Sequence, residues 1–269
     1  MLEKTMTTIK HGLRHSLVAV APCLLLAGAL SGCATVPPVS DTADYQAYQQ
    51  LNDPIEPTNR VFYAGNDRLD TYFMKPVAQG YVDITTQGIR NHIGDFVSNI
   101  GEPARLVNFM AEGMPRDAGT SLVRFLVNST IGIGGIFDPA RAIGYKETDT
   151  DFGLTLAIWG MPAGPYLYLP LLGPSGVRDA LNLPVEWFAT PMEAAPASAV
   201  LTDFGYAETG IHLINTRANY LGPIAQVKAT ALDPYATFRS LYRQSRASEI
   251  QQIYISDGQM PPAWAQPQP

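Results

Sequence analysis

The residue best placed for chemistry in this sequence is Cys33, which closes the tetrapeptide Leu30-Ser31-Gly32-Cys33. An apolar run from about Leu17 precedes it, and ahead of that run stand Lys4, Lys10 and Arg14. A basic segment, an apolar segment and small residues at a cut point make residues 1–32 an export signal. A cysteine directly after the cut is a lipid acceptor: its thiol takes diacylglycerol, and its freed amine takes an acyl chain such as palmitate. Ser16 to Leu30 falls short of the roughly 20 apolar residues a spanning helix needs, and Pro22 interrupts it. The expectation is a chain tethered to a bilayer through lipid on Cys33.

The other reactive side chains form no catalytic constellation. Beyond the signal the histidines are His92 and His212, without the His-Glu-x-x-His spacing of a metal site. Ser175 lies in Gly173-Pro174-Ser175-Gly176 rather than in a Gly-x-Ser-x-Gly elbow. Asp151-Phe152-Gly153 is similar to a kinase metal motif but lacks the accompanying His-Arg-Asp loop, so it reads as an acid opening a helix. Gly132, Gly134 and Gly135 lack the Gly-Lys-Ser/Thr of a phosphate loop. Their expected use is positive φ or close backbone approach, the alternative being amides that meet a lipid headgroup. No catalytic residue, metal or cofactor is expected.

Removing the signal leaves 15 Lys/Arg against 23 Asp/Glu, a net charge of −8. An acidic surface excludes nucleic acid and electrostatic attachment to anionic headgroups. Cys23 leaves with the signal and Cys33 is acylated, so no internal disulfide forms and packing must hold the fold.

Residues 33–50, with Pro37 and Pro38, read as a leash, and residues 256–269, with Pro261, Pro262, Pro267 and Pro269, as a disordered tail. Residues 51–255 between them read as one all-α domain. Asp53-Pro54-Ile55-Glu56 has an N-cap acid followed by proline, with Pro57 limiting it to a short turn before Asn59. Pro115 to Asn128 places Leu122, Phe125, Leu126 and Ser129 on one flank, away from Arg116, Asp117 and Arg124, until the glycines at 132–135 stop it. Ile211, Ile214, Ala218 and Leu221 recur at helical spacing. So do Phe238, Leu241, Tyr242 and Ser245, opposite Arg239, Arg243 and Arg246, in a helix begun by Asp233-Pro234. Only Tyr166-Leu167-Tyr168-Leu169 alternates like a strand.

From Phe152 to Val177 there is no charged residue, yet prolines at 162, 165, 170 and 174 forbid one continuous helix. Irregular backbone cannot face hydrocarbon unsatisfied, so the stretch is packed within protein or lines a wet cavity. The first reading makes it a buried loop layer. The second makes Trp159, Met161, Tyr166, Leu167, Tyr168, Leu169, Leu171 and Leu172 the wall of an amphipathic passage.

These residues also carry a family resemblance. Asp53-Pro54-Ile55-Glu56 with Asn59-Arg60, Lys75-Pro76-Val77-Ala78, Glu102-Pro103, Arg124 to Thr130 and Gly132-Ile133-Gly134-Gly135 with Asp138 occur in order. Asp151-Phe152-Gly153, Trp159-Gly160, Gly164-Pro165-Tyr166, Leu169-Pro170, Arg178-Asp179 and Thr216-Arg217-Ala218 follow. The set resembles the MlaA (VacJ) family of outer-membrane lipoproteins and singles out Asp53, Pro54, Glu56, Asn59, Arg60, Asn128 and Asp138 as family-motif residues. Departures occur at Phe62-Tyr63-Ala64-Gly65-Asn66, where one aromatic is missing, around Thr85-Thr86, where a proline is replaced, and at Asp95-Phe96. The resemblance implies a helical ring in the inner leaflet of the outer membrane, with a central amphipathic channel, beside trimeric porins. It implies that phospholipid leaves the outer leaflet through that channel for a soluble periplasmic carrier, preserving lipid asymmetry. Ala34 after Cys33, by likeness to bacterial lipoproteins, implies sorting to the outer membrane. The remaining alternatives are a structural envelope lipoprotein and a lipid-modifying enzyme.

Overall fold

Proline placement decides where half of the described α-helices begin. A proline in the first turn forfeits an N–H that has no intrahelical partner, and its fixed φ suits the helix. In the computed structural model, which describes residues 51–183, 185, 199–262 and 265, this rule starts α1 (Glu56–Leu69), α2 (Lys75–Ile84), α4 (Pro115–Thr130), α5 (Pro139–Ala142) and α10 (Pro234–Ser256). Aspartate caps add to it: Asp138, Asp151 and Asp233 accept from the amides of Arg141, Leu154 and Ala236 at 3.0, 2.8 and 3.2 Å. Asp151 thereby opens α6 (Phe152–Ile158), as the sequence predicts. The long α3 (Gln87–Glu112) ends at Gly113 in the left-handed region, φ 73°.

A π-helical turn, Asp70–Met74, joins α1 to α2. After α6 the chain forms an antiparallel hairpin of β1 (Tyr166–Leu169) and β2 (Gly173–Gly176), with Tyr166 opposite Gly176 and Leu169 opposite Gly173. The short α7 (Val177–Ala180) follows, then α8 (Ala199–Asn219), α9 (Leu221–Thr230) and α10. The fold is helical, with this hairpin as the strand pair among the described residues.

Pro57 does not shorten the first helix. It occupies the first turn, and α1 runs unbroken from Glu56. Nor does Asp53 cap it: Ile55 is the N-cap residue, with no side-chain bond, and the Asp53 carboxylate turns inward.

The larger correction concerns which flank of each helix is buried. On α4 the buried residues are Asp117, Ala118, Ser121, Arg124 and Asn128, whereas Leu122 and Leu126 are exposed. On α10 Arg239 is buried, as are Tyr235, Ile250 and Ile253, and Leu241 is exposed. On α3 Asn99, Glu102 and Glu112 are buried beside Phe109, while Val107 and Met110 face out. Helices of a water-soluble domain bury the apolar stripe. On α3 and α4 the inward stripe is largely polar, and apolar residues stand outside.

The apolar core is correspondingly modest. One cluster joins Phe109, Met114, Leu154, Ile250 and Ile253, and the second is a tyrosine group of Tyr166, Tyr168 and Tyr235 with Tyr63 and Tyr242 against it. The rings of Tyr63 and Tyr168 meet edge to face at 5.6 Å, a favoured aromatic geometry. Of the stretch expected to be a disordered tail, Gln259 donates its amide to the Tyr254 carbonyl, and Ala265 packs into the first cluster. The signal, Cys33 and the leash lie outside the described residues.

Candidate functional site

Two buried polar centres organise the molecule. In the first, Asn59 on α1 is 1 % exposed. Its amide nitrogen donates to Asp53 Oδ1 at 2.7 Å and to the Tyr166 carbonyl at 3.1 Å, and its oxygen accepts the Tyr168 amide at 2.9 Å. Asn66, two turns along the same face, repeats the grip: it donates to the Leu169 carbonyl and accepts the Leu171 amide. Two side-chain amides therefore stand in for a missing third strand and fix the hairpin to α1.

Asp53 is closed on its other side by α10. Arg239 Nη1 reaches Asp53 Oδ2 at 2.6 Å, and the Tyr235 hydroxyl donates to the same oxygen. Arg239 also reaches Glu56, and Arg60 bridges Glu56 and Asp233. The Arg60 hydrogen bond holds the Asp233 carboxyl below its usual range. Burial above all, then the Asp53 hydrogen bond and charge, push the Tyr235 hydroxyl well up. Asp53, Glu56, Asn59 and Arg60 are thus brought together.

The second centre is Arg124, 2 % exposed on α4. Its guanidinium reaches Glu102 Oε1 at 2.6 Å, both Asp138 oxygens at 3.2 Å and the Tyr145 carbonyl at 3.0 Å. Asn128 donates to Asp138 Oδ1 and accepts the Ala140 amide. Burial works against the Asp138 charge, but the Arg141 amide, Asn128 and Arg124 outweigh it and hold this carboxyl below its usual range.

This centre shapes the glycine turn after α4. Ile133, Gly134 and Gly135 have φ of 55°, 71° and 97° in succession. A Cβ on Gly135 would stand 2.5 Å from Asn99 Cβ, and one on Gly132 would stand 2.4 Å from the Phe137 carbonyl oxygen. Close approach is therefore required at Gly132 and Gly135, and left-handed backbone at Gly134 and Gly135. The turn presents Ile131, Ile133, Ile136 and Phe137 as exposed side chains. His92 braces it, with Nδ1 3.0 Å from the Ile136 carbonyl and its ring against Phe137.

The residues expected to line a passage divide. Tyr166 is buried in the tyrosine group, and Leu167 and Leu169 alternate with the buried tyrosines and are half-buried. Leu171 and Leu172 at the hairpin tip are exposed, as is Trp159, whose indole donates to the Ala111 carbonyl at 2.9 Å. Among the described residues no group of His, Cys, Asp or Glu is arranged to hold a metal. No described helix is long and apolar enough to cross a membrane.

The family model described as MlaA lipoprotein matches residues 51–249. The chain belongs to the MlaA lipoprotein family. It is 32 % identical over 243 residues, with 86 % of each chain covered, to the Intermembrane phospholipid transport system lipoprotein MlaA of Shigella flexneri. It is 28 % identical to the Haemophilus influenzae protein of the same name, covering 90 % of this chain and 92 % of that one. An uncharacterized protein of Rickettsia bellii is 34 % identical over 204 residues, covering 76 % and 78 %. A chain solved in work on the structural basis for maintenance of bacterial outer membrane lipid asymmetry superposes with a TM-score of 0.64 at 28 % identity. It covers 74 % of this chain and 98 % of that one.

The sequence reading left Arg239, Glu102 and Asn66 out of the candidate site, and with them Arg105, which reaches Glu102 at 3.3 Å and Glu147 at 2.8 Å. A signal was present: Asp117, Ser121, Arg124 and Asn128 recur at helical spacing, which marks a polar stripe as clearly as leucines mark an apolar one.

Proposed function

We propose that this protein is a lipid-anchored envelope lipoprotein that takes misplaced phospholipid from the outer leaflet of the outer membrane and passes it to a soluble periplasmic carrier. It sits in the inner leaflet, tethered through Cys33 and held beside trimeric porins, and lipid moves along a central amphipathic channel. It performs no covalent chemistry.

The observation that carries this reading is the reversed polarity of α3 and α4. A helix whose ionic face is inward and whose leucines point outward suits surroundings of hydrocarbon, with polar groups paired inside. The exposed Ile131, Ile133, Ile136 and Phe137 and the exposed Leu171 and Leu172 extend the apolar exterior onto loops. Relatives named as transport-system lipoproteins support the cargo assigned.

The test is deletion and complementation in the source bacterium, with outer-leaflet phospholipid measured by surface labelling of intact cells. Deletion is expected to raise the label, the wild-type chain to restore it, and Cys33→Ser to fail while leaving the protein outside the outer-membrane fraction. Unchanged surface phospholipid on deletion, together with a weakened envelope, would favour the purely structural lipoprotein.

A further inference from the structure

Residues 145–151 form a strap that crosses from α5 to α6 as neither helix nor strand, yet side chains from three helices hold it down. Arg124 on α4 donates to the Tyr145 carbonyl at 3.0 Å. From α3, Ser98 donates to Glu147 at 2.6 Å, and Arg105 meets Glu147 at 2.8 Å and Asp149 at 3.6 Å. Asp151 is fixed by Arg246 of α10, and Thr150 donates to Glu112, the last residue of α3. The Thr150 attachment differs in kind from the others. Glu147, Asp149 and Asp151 each face a guanidinium, whereas Glu112, 7 % exposed, receives the hydroxyls of Thr150 and Thr155 on one oxygen. Its other oxygen is buried without a partner.

We propose that Glu112 makes this strap a pH-operated clasp, shut while the carboxyl holds its proton and released when the carboxyl ionises. An ionised carboxylate with one dry oxygen carries a desolvation cost that two hydroxyl donors offset in part. Lifting Thr150 is the cheapest way to bring water to it, because the strap belongs to no helix or sheet, whereas Thr155 is 1 % exposed within α6. The charged groups facing Glu112 add to the cost. Asp151 at the end of the strap and Asp117 on α4 are acids, and Tyr254 on α10 brings a phenol that the Glu112 charge itself helps to keep protonated. Burial, opposed by the two hydroxyls and aided by those two acids, raises the carboxyl pKa. With the closed-state value raised above the open-state value of about 4.3, the shut form is fully favoured below the latter and is lost as pH rises through the former.

Hydrogen exchange of full-length acylated protein in detergent, followed by mass spectrometry from about pH 4.5 to about pH 8 and corrected for intrinsic rates, tests the clasp. The wild-type strap should exchange increasingly faster than that of Glu112→Gln, by up to about tenfold per pH unit above about 4.3, levelling off past the closed-state pKa. Whatever Glu147 contributes is common to both proteins and cancels in the ratio. At each pH the strap should exchange well ahead of α1, which lies outside the clasp. Thr150→Val removes the donor and keeps the shape, so its strap should be open already at the acid end, where the wild-type strap is shut.

Equal strap exchange in wild type and Glu112→Gln across the range would overturn the proposal. So would a strap protected as well as α1 at every pH, because it would then open with the whole domain. Asp149→Asn alters the exposed acid of the strap and decides the matter even if Glu112→Gln does not fold. A rise with pH that persists in Asp149→Asn upholds Glu112, and a rise that disappears there assigns the switch to Asp149 and overturns the proposal. Neither readout depends on the transport reading above.

Discussion

Ile133 and Leu171 hold φ of 55° and 69°, a region that costs an L-residue roughly 1–2 kcal/mol and that a β-branched side chain adopts least readily. Burial does not offset this, because the two are 64 % and 76 % exposed. A glycine would sit at either position without strain, so the apolar side chains are there for something outside the fold. Replacing Ile133 or Leu171 with glycine should raise unfolding stability in detergent by about 1 kcal/mol. The same changes should weaken partition of the protein from micelles into phospholipid vesicles. Thermal denaturation and vesicle flotation measure the two effects, and stability gained with unchanged partition would remove a membrane role for these side chains.

Glu112 is a second residue whose setting has consequences. It is buried, Thr150 and Thr155 donate to one of its oxygens, and the other has no partner. Burial, opposed by those two hydrogen bonds, pushes its carboxyl above the usual range. A folded pKa above the unfolded value of about 4.3 means the protonated form is the one the fold accommodates. Its contribution is fully present below the unfolded pKa and is lost as pH rises through the folded pKa. Glu112→Gln should therefore become stable relative to wild type as pH is raised across that window. Denaturant midpoints across the window test this, and parallel curves for the two proteins would show that Glu112 does not titrate there.

At the scale of elements, α4 with its glycine turn is the clearest unit. Arg124 is the group on which Glu102, Asp138 and the Tyr145 carbonyl converge, so Arg124→Met takes the most buried cation from two carboxylates and leaves them Arg105, 3.3 Å from Glu102, and the exposed Arg141, 3.2 Å from Asp138. Removing one partner of a buried pair costs about 3–5 kcal/mol, and the variant should be nearly absent at steady state by immunoblot. Near-normal abundance would mean that the carboxylates protonate or rehydrate at little cost.

Helix limits were legible here because they depend on local chemistry: Pro115 and Pro234 at first-turn positions, the Asp151 and Asp233 caps, and the glycines after Thr130 all act within a few residues. Which flank turns inward was not legible. Periodicity gives the angular spacing of Leu122, Phe125 and Leu126, but whether that stripe meets protein or hydrocarbon depends on the solvent outside. The Asn59 and Asn66 grip on β1 was hidden for a different reason. It joins residues about a hundred positions apart, and only the closed fold brings them together.

At the scale of the whole molecule, the hairpin joins an ionic interior to an apolar exterior. Its base lies by an Arg-lined cavity and its tip carries the exposed Leu171 and Leu172, with ~3.3 Å per strand residue between the ends. An aspartate scan along β1 and the hairpin tip separates the surroundings at each step. Leu171→Asp puts a carboxylate on an exposed tip. Were that tip in water the change would be nearly silent, but in the acyl region it costs about 2–4 kcal/mol or more, according to depth. Leu167→Asp and Leu169→Asp place the charge on the half-buried face opposite the tyrosines. There a water-filled passage would tolerate the carboxylate, whereas dry packing would destabilise the fold by several kcal/mol. The expected pattern is that Leu171→Asp folds in detergent yet is depleted from the outer-membrane fraction, while Leu167→Asp and Leu169→Asp stay abundant and localised but let surface phospholipid accumulate. Abundance, localisation and surface phospholipid are measured for each variant. Should Leu171→Asp behave as wild type, and the other two vanish by proteolysis, the tip is in water and β1 is core; the lipid path would then have to run along α4 or α8.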